Sequence, residues 1–191
     1  MHKLTTADLV AQKLSLEEFQ KLPKTPISIV LDNVRSLQNV GLLFRLCDAI
    51  RAEKLYLAGI TGHPPLESED IRHGIKEHAF NQITKTAIHT VDYMPWEHSP
   101  NTVALLKTLK AQGKQIIIAE QTDQSKDFRE IEYKKPVVLV FGHERLGVAD
   151  EVLELADEIV HIPMLGMGNS HNIAVSAAII CYQVLGRVLP Q

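Results

Sequence analysis

A chain of 191 residues with 45% hydrophobic and 23% charged residues matches one ordinary globular domain, able to bury a core without disulfide or metal staples. Its formal net charge of −3 lacks the strongly basic balance typical of nucleic-acid binders; five acids and one arginine from Asp150 onward account for −4, leaving +1 for everything before. The two cysteines, Cys47 and Cys181, lie in apolar runs without metal spacing, no apolar run is membrane-spanning, and MHKLTTADLV lacks a signal-peptide core, so a reducing, cytoplasmic setting is expected.

Residues 1–25 read as a helical extension, with Ser15 to Glu18 as a capping box. Short apolar, β-rich runs follow at Ile27–Leu31, Leu55–Leu57, Ile116–Ala119, Val137–Phe141 and Ile159–Ile162. Helical periodicity marks Val40–Ala52, Thr102–Ala111, Ala149–Ala156 and Asn172–Val188. Continuous apolar strands alternating with helices predict an α/β domain over 26–191, its mostly parallel sheet covered by helices on both faces. Pro, Gly and Ser content predicts loops at Thr61–Ser68 and Tyr93–Asn101.

Three segments hold more than core residues. In the first, Val40, Leu43, Phe44, Cys47 and Ile50 follow helical spacing, which puts Gly41, Arg45 and Asp48 on the other face just beyond a strand end, where open α/β sheets place ligands. A guanidinium there clamps a phosphate or orients a hydroxyl; the plain alternative is an Arg45–Asp48 surface pair. In the second, the strand Val137–Phe141 stops at Gly142, with Glu144 at the rim and Gly147 after it, a place where backbone amides approach a ligand or simply a strand-to-helix turn. The third, Ile162 to Ala178, is a glycine-rich loop running into a helix; Ser170 or Asn169 caps it, and its first amides suit an anion or an adenine edge. It lacks the third glycine of a dinucleotide fingerprint. Nine histidines bring no metal spacing: His73 and His78, like His89 and His98, lack partners, and His143-Glu144 opens no H-E-x-x-H motif. Trp96 and Tyr93 stack a base or pack on their own core.

Together these segments resemble the signature motifs of the SpoU family of SPOUT methyltransferases. Asn39-Val40-Gly41-Leu42-Leu43-Phe44-Arg45 is a related form of N-x-x-G-x-x-x-R, with one residue between Asn and Gly. Phe141-Gly142-His143-Glu144-Arg145-Leu146-Gly147 matches F-G-x-E-x-x-G, and Ile162 to Asn172 matches I-P-M-x-G-x-x-x-S-x-N. The resemblance spans about Pro26 to the C-terminus. It implies a deep C-terminal trefoil knot, S-adenosylmethionine as cofactor, a homodimer, RNA as substrate (tRNA before rRNA), and no metal or membrane. It further implies cofactor contacts at Glu120, Gln121, Gly142, Ile162, Met164, Ser170 and His171, with Asn39, Arg45, Glu144, Ser170 and Asn172 at positions linked to catalysis. The chain departs from the family at His171, where Leu is common, and at Ala174 and Ser176, where Ser and Ala are. The implied reaction moves a methyl group to a ribose 2′-hydroxyl, with Arg45 as a clamp on hydroxyl and phosphate, because a guanidinium does not give up its proton near neutral pH. An inactive RNA-binding protein on this fold and a nucleotide-binding enzyme are the other readings.

Overall fold

The structure is a computed structural model and describes residues 2–66 and 73–189. Two short helices open it, α1 (Thr6–Ala11) and α2 (Leu16–Lys21), neither with a buried residue. Both begin with a capping box, the second being the Ser15–Glu18 pair expected from the sequence. The sheet follows: β1 (Thr25–Asp32), α3 (Leu37–Ala49), β2 (Ala52–Ala58), α4 (His73–Ala87), β3 (Trp96–Ser99), α5 (Thr102–Ala111), β4 (Gln115–Ala119), β5 (Lys126–Asp127), β6 (Val137–Phe141), α6 (Asp150–Leu153), β7 (Glu158–His161) and α7 (Ile173–Val188).

All seven strands are parallel, in the order β3-β2-β1-β6-β4-β7-β5. Alternate side chains of each strand point to opposite faces, and this period divides the core in two. Ile27, Ile29, Leu31, Leu55, Leu57, Val137, Leu139 and Phe141 meet residues of α3, α4 and α7 on one face. Val30, Tyr56, Ala58, Ile116, Ile118, Val138 and Val140 meet α5 and α6 on the other. The result is the expected sheet covered on both faces. After β7, near one edge, the chain returns to lay α7 over α3, β1 and β6 in the middle. Among the described residues, no helix is long and apolar enough to cross a membrane.

Several expectations needed correction. The predicted loop Tyr93–Asn101 contains β3, an edge strand whose four residues pair with β2 alone. Trp96-Glu97-His98-Ser99 has none of the apolar density of a central strand, because only one side of it is hydrogen-bonded and it is half exposed. Helix α3 starts three residues before the predicted Val40, since Ser36 accepts a hydrogen bond from the Asn39 amide at 3.2 Å and sets the N-cap there. It ends at Ala49, and Ala52 already belongs to β2. Helix α4 went unpredicted; of its described residues only Ile83 and Ala87 join the core, too few for a readable stripe. The last two residues of the predicted loop Thr61–Ser68, and the side chain of His73, lie outside the described residues.

The face proposed for Gly41, Arg45 and Asp48 is divided. Gly41 is buried against α4, where a Cβ would collide with Thr86 Oγ1 and the Ile83 carbonyl oxygen. Asp48 stands beside Tyr93, whose phenol is pushed up to about 12 by burial and then by that carboxylate. Arg45 is exposed, and no ion pair joins it to Asp48 among the described residues. Trp96 and Tyr93 take the packing role: Trp96 meets Phe44 edge-on at 6.3 Å, and Tyr93 meets Phe19 at 5.8 Å.

Candidate active site

Beyond the carboxyl ends of β4, β6 and β7 lies a cavity of about 460 Å³. That is the end of a parallel sheet at which ligands bind, and the volume is of small-molecule size. The strands supply an apolar floor of Phe141 and Val160, and Ile173 and Ile180 of α7 continue it. Glu120 and Gln121 after β4, residues 142–145 after β6, and Asn169 to Asn172 after β7 supply the polar rim, with the apolar Ile162 and Met164 beside it. All seven residues expected at the cofactor, Glu120, Gln121, Gly142, Ile162, Met164, Ser170 and His171, line this one cavity.

The loop after β6 closes on itself. His143 and Gly147 exchange two backbone hydrogen bonds, at 3.2 and 2.9 Å. Gly147 has φ +69°, and a Cβ there would run into Glu120 Oε2. At Gly142 a Cβ would stand 2.8 Å from the Gly147 carbonyl carbon and 2.9 Å from its oxygen. Glycine at both positions lets the loop fold tightly enough to leave the cavity open. Glu120 holds it from below, accepting from the Val148 amide at 2.9 Å and from the Gln121 amide at 2.9 Å. Gln121 Nε2 donates to the Asn169 carbonyl at 2.6 Å, tying the loop after β4 to the one before α7.

A second chain of bonds joins the three sequence segments. Glu144 Oε1 accepts from the Ser36 amide and from Asn39 Nδ2, each at 3.1 Å, and Oε2 accepts from the Arg35 amide at 3.2 Å. Asn39 Oδ1 accepts from Asn172 Nδ2 at 3.1 Å, and Asn172 Oδ1 caps α7 at the Ala174 amide, 2.9 Å away. Glu144 thus supplies negative charge at the start of α3, where the helix dipole favours it. The structure therefore brings Asn39, Glu144 and Asn172 together and puts Ser170 on the same rim. It leaves Arg45 off the cavity lining of its own chain. Asn39 is buried, and its amide donates to Glu144 and accepts from Asn172, tying the two sides of the rim together.

Burial pushes the Glu144 carboxyl up, but hydrogen bonds from its own amide, from Arg35 and Ser36, and from Asn39 outweigh it and leave the group below its ordinary value. A carboxylate with a depressed folded pKa stabilises the native state above its unfolded pKa, and loses that contribution as pH falls through the folded one. Wild type should therefore be more stable than Glu144→Gln in urea at neutral pH, with the gap closing below about pH 4.5. A gap that stays constant down to pH 3 would show that the carboxylate charge is irrelevant to the fold.

Sequence reasoning passed over His143, Arg145, His161 and Ser176 as lining residues. His161 was hidden in a strand, where period alone does not say which end faces a ligand. Among the described residues, no three His, Cys, Asp or Glu side chains are grouped to hold a metal.

Residues 26–182 match the family model for the SpoU rRNA Methylase family. The chain belongs to that family. It is 30% identical over 173 residues to a tRNA (guanosine(18)-2′-O)-methyltransferase of Thermus thermophilus, covering 91% of this chain and 81% of that one. The fold agrees with the crystal structure of the A. aeolicus TrmH/SpoU tRNA modifying enzyme, with a TM-score of 0.70, 31% identity, and 90% of this chain and 80% of that chain covered. An AdoMet-bound rRNA methyltransferase from Sinorhizobium meliloti gives a TM-score of 0.74 at 25% identity, with 88% and 59% covered. Membership of the SpoU family accounts for the three-segment constellation: its motifs are 105 and 133 residues apart in sequence yet hydrogen-bonded in space.

Proposed function

We infer that this SpoU-family chain is an S-adenosylmethionine-dependent RNA methyltransferase that acts on a ribose 2′-hydroxyl, with tRNA as its substrate. The observation that carries this is the Glu144–Asn39–Asn172 chain at the rim of a small-molecule cavity. The guanosine 2′-O-methyltransferase likeness over most of both chains supports tRNA.

The cavity suits a nucleoside cofactor. Its apolar floor accepts a flat ring system, and the close approach around Gly142 keeps backbone groups bare at the rim. Glu120, Gln121, Gly142, Ile162, Met164, Ser170 and His171 would hold it. When bound, S-adenosylmethionine supplies an electrophilic methyl group. The protein's part is alignment and electrostatics. Glu144 and Asn39 lock the loop after β6 to the start of α3, and Asn172 locks both to α7, so the rim keeps one shape as RNA arrives. Ser170, on that rim, offers a hydroxyl to the nucleotide. Arg45 orients the ribose hydroxyl and its phosphate, stabilising negative charge as it develops on oxygen.

Arg45 stands away from its own cavity, so this role calls for a second copy of the chain, and a two-fold homodimer with composite sites is part of the proposal. Leu165 and Met167, fully exposed beside the cavity at 99% and 101%, support an assembly that covers this loop. Light scattering at micromolar concentration should report twice the chain mass; a monomer would remove Arg45 from the site. The deep knot expected for this fold belongs to the same reading, supported by the return of α7 to the middle of the sheet. The direct test is transfer of labelled methyl groups from S-adenosylmethionine to bulk tRNA and, separately, to ribosomal RNA, followed by mapping of the 2′-O-methylated nucleotide. Transfer to base nitrogen or carbon, or none to either RNA from a folded, cofactor-binding protein, would overturn the assignment.

A further inference from the structure

His161, the last residue of β7, lines the cavity, and its hydrogen-bond network fixes where its proton sits. Its Nδ1 is 3.0 Å from Ser125 Oγ. The same hydroxyl is 2.8 Å from the Thr122 carbonyl oxygen, to which it can only donate, and it accepts from the Thr122 amide at 3.1 Å. A serine hydroxyl has one proton and two lone pairs. With the proton on the Thr122 carbonyl, the contact to the ring is satisfied only when Nδ1–H of His161 donates to Ser125. The neutral imidazole then keeps its lone pair on Nε2.

The neighbouring His143 is set the other way. Its Nδ1 accepts from the Arg145 and Leu146 amides at 3.0 and 3.3 Å, so its proton is on Nε2 and it is a donor. The carboxylates of the rim and Asn172 Oδ1 are already engaged: Glu120 with the Gln121 and Val148 amides, Glu144 with Arg35, Ser36 and Asn39, and Asn172 Oδ1 with Ala174. We propose that His161 Nε2, set by Ser125, is a ligand-positioning hydrogen-bond acceptor of the cavity and takes an N–H donor of the nucleoside cofactor. This rests on the functional reading above. The cofactor has two such donors, the exocyclic amine of its base and its α-ammonium group.

Calorimetry with S-adenosylhomocysteine on the full chain tests this. His161→Phe should bind about tenfold more weakly at pH 8, the loss of one well-made hydrogen bond. His161→Gln keeps an acceptor, so it should stay within about threefold of wild type at pH 8. Nitrogen-15 spectra should show wild-type His161 protonated on Nδ1, and Ser125→Ala should mix the tautomers. Of two probes, 5′-methylthioadenosine keeps only the base amine, and the S-adenosylhomocysteine analogue with unsubstituted purine in place of adenine keeps only the ammonium; the one that still distinguishes His161→Phe from wild type identifies the donor. A wild-type Nε2–H tautomer, or undiminished affinity in His161→Phe, overturns the proposal alone. Failure of the wild-type protein to bind S-adenosylhomocysteine at all overturns the functional reading and this proposal with it.

Discussion

Arg45→Ala should lower methyl transfer to tRNA by about a hundredfold or more, the scale of losing one group that stabilises developing oxyanion charge. The side chain is exposed on α3 and off the cavity lining, so truncation removes no core packing and no cofactor contact from its own chain. Cofactor affinity and Tm should therefore stay near wild type. Arg45→Lys keeps the charge but loses the planar fork, and should recover only a small part of the activity. The proposed dimer gives a sharper form of the test. An Arg45→Ala chain and a Gly142→Val chain, each inactive alone, should regain about a quarter of wild-type turnover when refolded together, because mixed dimers carry one intact composite site. Near wild-type turnover in Arg45→Ala would reduce this residue to a solvated surface cation and remove the clamp from the mechanism. No recovery in the mixture, with both single variants inactive, would instead confine each site to one chain.

Gly41→Val should cost about 3 kcal/mol of stability and lower Tm by roughly 6–12 °C. The added carbons would enter the contact between α3 and α4, where Thr86 Oγ1 and the Ile83 carbonyl already occupy the space. The Thr86 hydroxyl is itself committed, donating to the Gln38 carbonyl at 2.9 Å, so the two helices cannot separate without breaking that bond. Gly186→Ala is the control. It is also helical, but a Cβ there meets nothing within 4 Å, and the change should be neutral or mildly stabilising through helix propensity. Equal Tm values for the two variants in thermal unfolding would show that Gly41 is not a packing glycine. Because Gly41 shares α3 with Asn39 and Arg45, an α3 displaced from α4 should also depress activity more than the stability loss alone explains.

The sequence by itself determined whatever depends on near neighbours. Strand β6 is found where Val137–Phe141 predicted it, and α5 where Thr102–Ala111 did. The Ser15–Glu18 capping box and the α7 stripe of Ile173, Ala177, Ile180 and Val184 are present as read. Runs of apolar residues, a 3.6-residue period and side-chain caps are local properties, written within a few positions of one another. The motif residues Gly142, Ile162 and Ser170, and Glu120 as a cofactor contact implied by the resemblance, were legible in the sequence, and they do line one cavity.

Only the tertiary structure decided what lies between distant segments. Edge strand β3 takes its place from β2, since a short polar tetrapeptide has no strand signal of its own. Gly41 reads as a ligand-side glycine until α4 is laid over it. Arg45 reads as a companion of Asn39, six positions along the same helix, but six residues turn a helix well away from the starting face, and the helix aims it off the cavity that Asn172 and Glu144 rim. The Glu144–Asn39–Asn172 chain and the Ser125–His161 lock exist because the sheet order puts β6 between β1 and β4, and β7 between β4 and β5. Hydrogen bonds reach about 3 Å, so their partners are set by which strand ends are neighbours, and that follows from packing the whole chain.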